Sequence, residues 1–490
     1  MAHPGSVSGT GPRTSTCTPA ASDSAASILL QLIEDYHSFN PGRSVPVLPY
    51  PTPLEFSKQV SRGRPCVYRL DTDNQPDEQV HGPLRPKKKQ KNEVRTEIEE
   101  VLSHPAFSWT REVMCEKVTE DVDVAVTPDG RADSLYTVPV PVPRPRARQT
   151  SSRESGRLNV NDESGGEQDR EEEDETDLEE VFVQPATKTM SLSSLFDKLM
   201  VSPSNEDNSD DDYDDDKDSS SLNPYRFKKG RTRTRTRRRR RRMIYYLQSQ
   251  NSNLTTTPLS PLLSDLPRHL PFARPVLGDP EAVNIWIGAS ESVTCTHRDP
   301  YENLYLVLRG CKKFTLYPPV EELCLYAKKV RTGRHVLDRN DEFEIVLDDD
   351  DDKDDDTHAP PLPSDNDVQD EDEGKGKSEG DDDDDDGGKI PWIPIDPDTI
   401  DLVPPDTMAS KYPYYRYSHP VTVTVWEGEI LYLPSGWFHH VRQECGVWDD
   451  GEVAPCIAVN YWYDMDYEGE KYATREMLTR LVEAVRRDQR

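Results

Sequence analysis

The feature that most limits what this chain can fold into is a series of short apolar segments, each closed by glycine or proline. Tyr301-Glu-Asn-Leu-Tyr-Leu-Val-Leu-Arg-Gly310 is apolar and alternating enough for a buried strand. Cys311-Lys-Lys-Phe-Thr-Leu-Tyr-Pro-Pro319 reads as a second strand, turned at Gly310 and stopped by the proline pair. Val421-Thr-Val-Thr-Val425 alternates, Glu427-Gly428-Glu429 supplies a turn, and Ile430-Leu-Tyr-Leu-Pro434 runs into Ser435-Gly436-Trp437-Phe438-His439-His440-Val441. Cys456-Ile-Ala-Val-Asn-Tyr-Trp-Tyr463 closes the set, and Asn284-Ile-Trp-Ile-Gly288 precedes it. No helical pattern intervenes, so these segments predict a mostly β fold, an antiparallel double-sheet barrel.

His297-Arg-Asp299 lies on this framework and is the one H-x-[DE] among 11 histidines. Two residues apart on a strand, His297 and Asp299 project from one face. With a distant second imidazole, His439 or His440, they make the ligand set of a facial triad, which holds non-heme Fe(II) and leaves positions open for substrate and O2.

The order H-x-D-x-x-x-N, G-x-K-x-F, L-Y-[LI]-P-x-x-W-x-H-H-[VI] and V-N-x-W-Y resembles the JmjC oxygenases of the cupin superfamily, and within them the small lysyl-hydroxylase branch. The likeness extends to Tyr50-Pro-Thr-Pro-Leu-Glu-Phe56, Arg64-Pro-Cys66, Val124-Ala-Val-Thr-Pro-Asp-Gly-Arg-Ala-Asp133, Tyr246-Leu-Gln248 and Pro391-Trp-Ile-Pro-Ile-Asp-Pro397. The resemblance implies a double-stranded β-helix, the jelly-roll of the cupins, with flanking helices. It implies His297, Asp299 and His439 as ligands of Fe(2+), His439 being preferred to His440 by the family pattern. Lys312 takes the position where the family pairs a lysine with the distal carboxylate of 2-oxoglutarate. Thr294, Asn303, Tyr246 and Asn460 match positions that line the co-substrate pocket. The implied reaction consumes 2-oxoglutarate and O2, releases succinate and CO2, and hydroxylates a C–H bond. The implied substrate is a lysyl side chain of a protein, in this branch a translation-associated GTP-binding protein. Two alternatives stay open: a histone-tail demethylase or protein-clipping peptidase, and a non-catalytic cupin scaffold.

The net charge of −32 belongs mainly to particular stretches: Asp348 to Asp386 alone holds 21 acidic residues against 3 lysines. Such runs bury too little apolar surface to fold and are expected to be disordered. The expected organisation is a disordered tail at 1–21, then 22–70 and 100–138 as a helix and strand region packing on the barrel. Low-complexity inserts take 71–99, 139–180 and 202–242, and 243–490 is the catalytic domain, interrupted by an acidic insert at 348–388. Surface loops accept such insertions because closure entropy grows only logarithmically with length. The tract Arg231 to Arg242 leaves open nuclear localisation, association with the acidic run Asp210 to Asp216, simple low-complexity drift or a place at the substrate entrance, and no base-reading module accompanies it, so nucleic acid is not an expected partner.

Ser22 or Ser24 is placed to cap a helix carrying Ile28, Leu29, Leu32, Ile33 and Tyr36. A C-terminal helix aligns Met477, Leu478, Leu481, Val482 and Val485, and the two terminal helices serve either packing on the barrel or a homodimer. Leu192 to Met200 predicts a third, short helix of the core. The eight cysteines show no zinc-ribbon spacing, which fits a reducing compartment. With no signal peptide or membrane span visible, a cytoplasmic or nuclear protein is expected. Deleting 348–386 is expected to leave turnover of a short peptide nearly intact; an inactive variant, by 2-oxoglutarate consumption, would make that segment structural.

Overall fold

The computed structural model describes residues 24–42, 44–70, 88–141, 176–200, 243–248, 252–348 and 388–488. Two sheets face each other. The larger has nine strands in the order Val47–Pro49, Cys66–Arg69, Glu429–Leu433, Tyr301–Arg309, Cys456–Asp464, Ala282–Gly288, Ile244–Leu247, Val122–Thr127 and Ala186–Met190. The smaller has five: Val421–Trp426, Cys311–Tyr317, Phe438–Glu444, Val293–His297 and Arg131–Ala132. Pairing is antiparallel except at Val47–Pro49 with Cys66–Arg69 and at Arg131–Ala132 with Val293–His297. This is the expected jelly-roll.

The two-residue period sorts each central strand between two cores. On Tyr301–Arg309, Leu304, Leu306 and Leu308 join an outer cluster, whereas Tyr305 and Val307 join the one between the sheets. On Cys456–Asp464, Ile457, Val459, Tyr461 and Tyr463 face outward and Ala458 inward. Both faces are covered, which is why these strands read as nearly continuous apolar runs.

Helices cover the outer face. Thr52 and Glu55 form a reciprocal capping box at the start of Pro53–Arg62, and Gly63 ends it in the left-handed region at φ 61. Phe56 of that helix is fully buried with its ring edge against Phe272 and Tyr432. Leu192–Leu199 packs four buried residues into the same core.

Ser24 caps the N-terminal helix Ala25–Phe39, while Ser22 lies outside the described residues. Leu29 of that helix meets Val482 and Val485 of the C-terminal helix Glu470–Asp488, with Leu323 beneath. Ile28, Leu32, Met477 and Leu481 stay exposed, so only half of each apolar stripe is used within the chain.

Three expectations need correction. The segment read as an insert over 139–180 contributes strand at both ends: Ser134–Pro141 pairs with Thr176–Gln184, Pro139 opposite Leu178 and Pro141 opposite Thr176. The proline-bearing strand is the edge of a four-stranded sheet with Thr332–Leu337 and Phe343–Leu347, and an edge tolerates missing N–H donors. The 71–99 insert is likewise shorter, because helix Lys88–Leu102 starts inside it and buries Ile98 and Val101. Finally, a seven-residue helix, Pro405–Lys411, lies between the strand blocks; it is too short to show a 3.6-residue stripe. The 1–21 tail, the 202–242 insert with its arginine tract, and 349–387 lie outside the described residues.

Leu306 has no exposed surface. Leu306→Ala is expected to cost about 2–5 kcal/mol in urea unfolding, against under about 0.5 kcal/mol for exposed Val447→Ala.

Candidate metal and co-substrate site

Antiparallel pairing sets His297 directly opposite His439, with an irregularity between Thr294 and His297 that re-aims the strand end. The imidazole centroids lie 4.2 Å apart. Asp299 follows just beyond the strand, and its carbonyl accepts the Gly436 N–H at 2.9 Å, tying the first motif to the turn before the second. His297 Nε2 is 3.7 Å from Asp299 Oδ1, and His439 Nε2 is 3.5 Å from Asp299 Oδ2.

These separations exceed a hydrogen bond. They suit atoms sharing one ion, since metal bonds of about 2.0–2.2 Å leave neighbouring ligand atoms roughly 3–3.6 Å apart. The tautomers agree. His297 Nδ1 lies 2.8 Å from the Cys295 carbonyl and His439 Nδ1 lies 3.1 Å from that of Trp437. A carbonyl only accepts, so each Nδ1 carries a proton and Nε2 is the nitrogen turned toward the shared position. Burial pushes the His439 pKa down to about 4, with His297 adding to the effect, so its imidazole is neutral as a ligand must be.

A second group, Asp396, Asp398 and His440, has similar spacing: His440 Nε2 lies 3.7 Å from Asp396 Oδ1 and 3.5 Å from Asp398 Oδ2. Charge separates the two groups. Arg131 bonds Asp396 at 2.7 Å and Asp398 at 3.3 Å, and Arg442 bonds Asp398 at 3.3 Å. Two carboxylates balanced by two guanidiniums make an ion-pair network fastening Asp396–Asp398 against the strand face opposite His439. Asp299 has no Lys or Arg partner among the described residues, because neighbouring Arg298 turns to Glu322 at 3.0 Å.

Lys312 is 1% exposed, and no carboxylate pairs with it among the described residues. Its ammonium donates to Tyr246 Oη at 3.2 Å and to Gln443 Oε1. Gln443 is four residues after His439 on the same strand face, so the cation and the triad open on one interior. An unpaired buried cation is costly, and a carboxylate ligand offsets that cost. The cradle is close: a Cβ at Gly288 would meet Gln443 Nε2 at 2.3 Å and Tyr246 Cδ2 at 2.6 Å. Lys313 projects to the other face and pairs with Glu444.

The remaining expected residues sit on the inner faces of the sheets. Trp286 Nε1 donates to Asn460 Oδ1 at 2.8 Å, and Asn460 Nδ2 lies 3.5 Å from Asn303 Oδ1. Thr294, partly exposed, lies three residues before His297 and opposite Val441. Sequence reasoning missed Gln443 and Trp286, although the alternation beginning at His439 puts Gln443 inward. The seven described cysteines are all free, and burial pushes the Cys295 thiol up to about 11 and Cys456 up to about 12, leaving both as inert thiols.

A family model described as a cupin-like domain matches residues 52–469, most of the chain. This chain belongs to the cupin-like family. Among curated proteins it is 34% identical over 242 residues to the human bifunctional peptidase and (3S)-lysyl hydroxylase JMJD7, covering 49% of this chain and 60% of that protein. It is 33% identical to JmjC domain-containing protein E of Dictyostelium discoideum, covering 46% of this chain and 54% of that one. It is 35% identical to lysine-specific demethylase JMJ32 of Arabidopsis thaliana, covering 48% and 57%. The matches thus span a little over half the length of these relatives.

Asp299→Ala is expected to abolish Fe(II) binding by anaerobically loaded protein, measured by elemental analysis, with an unchanged melting profile. Asp398→Ala should leave the metal stoichiometry as it is; loss of metal there instead would move the centre to the second group.

Proposed function

We propose that this cupin-like chain is an Fe(II)- and 2-oxoglutarate-dependent dioxygenase that hydroxylates a lysyl side chain of a protein. The observation that carries the reading is a two-histidine, one-carboxylate group sharing an interior with a buried lysine that no carboxylate among the described residues pairs with. His297, Asp299 and His439 would hold the metal. Lys312, with Tyr246 and Gln443 orienting it, would receive the distal carboxylate of 2-oxoglutarate, and Thr294, Asn303 and Asn460 would line the remaining wall. Bound together, iron, 2-oxoglutarate and O2 supply an oxidant able to attack an unactivated C–H bond. The chain's own part is to hold both imidazoles in the ligating tautomer, fix the co-substrate through Lys312, and keep the interior closed by the packed faces of two sheets.

The human relative's name favours lysyl hydroxylation and, in its other half, peptidase activity; a GTP-binding protein as the substrate is proposed on the family resemblance alone. The Arabidopsis relative's name favours a second reading, lysine demethylation. Among the described residues no helix is long and apolar enough to cross a membrane. Exposed Ile28, Leu32, Met477 and Leu481 on the paired terminal helices support self-association as a homodimer. A cytoplasmic or nuclear location completes the proposal.

Turnover of 2-oxoglutarate to succinate, with mass spectrometry of a lysine peptide and its methylated form, tests the reading. One oxygen retained on lysine, coupled to succinate, is expected; loss of a methyl group with formaldehyde would favour the demethylase, and absence of succinate would favour the scaffold. Lys312→Ala is expected to raise the 2-oxoglutarate KM by about tenfold or more while metal content is kept.

A further inference from the structure

Lys312 is not the only charge near the triad that has no opposite charge paired with it among the described residues. Asp133 follows directly on the Arg131–Ala132 strand, whose Ala132 lies opposite Thr294 of the strand that ends in His297. It holds a left-handed φ of 54°, costly for a residue with a side chain and common where a functional group must be aimed. Its described hydrogen bond comes from Gln248, two residues after Tyr246, with Nε2 donating to Oδ2 at 3.1 Å. No Lys or Arg among the described residues pairs with it, since Arg131, two residues earlier, is held by Asp396 and Asp398. Nor is it needed to shape the turn: Asp129 does that, accepting the Arg131 N–H at 3.0 Å and the Tyr136 hydroxyl at 2.9 Å. Asp133 is partly exposed. Its surroundings nonetheless exclude enough water to push its pKa up to about 6, although His297 is near enough to pull it back and the bond from Gln248 favours the anion.

We propose that Asp133 receives the ammonium group of the substrate lysine, forming a cation subsite beside the triad. The inference rests on the lysyl reading above. A lysine entering this enclosure brings a charge that is expensive to strip of water, and a carboxylate without a cation there offsets that cost. Two side chains of opposite sign therefore match two ligands: Lys312 the dicarboxylate co-substrate, Asp133 the cationic substrate. The subsite explains selection of lysine over an apolar side chain of equal length.

The test reads binding without turnover. N-acetyl-lysine methylamide and N-acetyl-norleucine methylamide, which differ by the ammonium group, are titrated against the metal-free full chain at neutral pH. The wild type is expected to favour the lysine probe by about tenfold or more, Asp133→Asn to lose that preference, and Asp133→Glu to recover part of it. No preference in the wild type, or a preference kept by a folded Asp133→Asn, overturns the proposal. Should Asp133→Asn fail to fold, the carboxyl 13C resonance of Asp133 decides. A shift with the lysine probe and none with norleucine supports the subsite, and equal responses overturn it. Absence of succinate in the turnover assay would remove the hydroxylase reading and leave this binding result standing. Conversely, peptide hydroxylation by Asp133→Asn at the wild-type peptide KM would remove the subsite and leave the hydroxylase.

Discussion

Everything at the site depends on the register between Val293–His297 and Phe438–Glu444. Because side chains alternate along a strand, a slip of one residue would turn His439 out of the barrel and bring His440 in. Phe438–Glu444 also pairs with Cys311–Tyr317, placing Lys312 opposite Gln443. One strand thus positions a histidine of the triad and the partner of the buried lysine. Its outward residues serve a different purpose: His440 and Arg442 meet the Asp396–Asp398 turn, and Glu444 meets Lys313. Ion pairs on the outer face and close packing on the inner face hold the same register.

The larger sheet supplies stiffness. It is buried on both sides, by the barrel interior and by helices, so its central strands have little freedom to shift against the smaller sheet. That rigidity matters because a site in which, among the described residues, no carboxylate pairs with Lys312 and no Lys or Arg pairs with Asp133 spends stability that the surrounding apolar packing must supply.

Much of this was legible in the residues themselves. Alternation with Gly and Pro stops marked the strands, and their density implied two facing sheets. His297, Asp299 and His439 stood out by spacing and by resemblance, and the structure brings them together with Lys312 in one interior. What escaped notice has no local period. Gln248 reaches Asp133 across 115 residues of sequence, and Arg131 reaches Asp398 across 267. Nothing in the neighbourhood of either residue announces such a contact. The strand at Ser134–Pro141 was hidden differently, since its prolines argue against a sheet unless the strand is known to be an edge. The helix beginning at Lys88 was masked by a lysine cluster that reads as linker until Ile98 and Val101 show a buried side.

The hairpin that Pro141 and Thr176 close has a broader consequence. The two residues face each other across a paired ladder, so the ends of the interval between them are already held together by the folded sheet. Strand pairing bears the cost of closure, and each doubling of the interval adds only about 0.6 kcal/mol. Phe343–Leu347 ends in the same small sheet, where the Asp348 N–H reaches the Thr332 carbonyl at 3.1 Å. A long interval can therefore be accommodated at a side sheet, closed by strand pairing there, without altering the pairing that sets the geometry of the barrel.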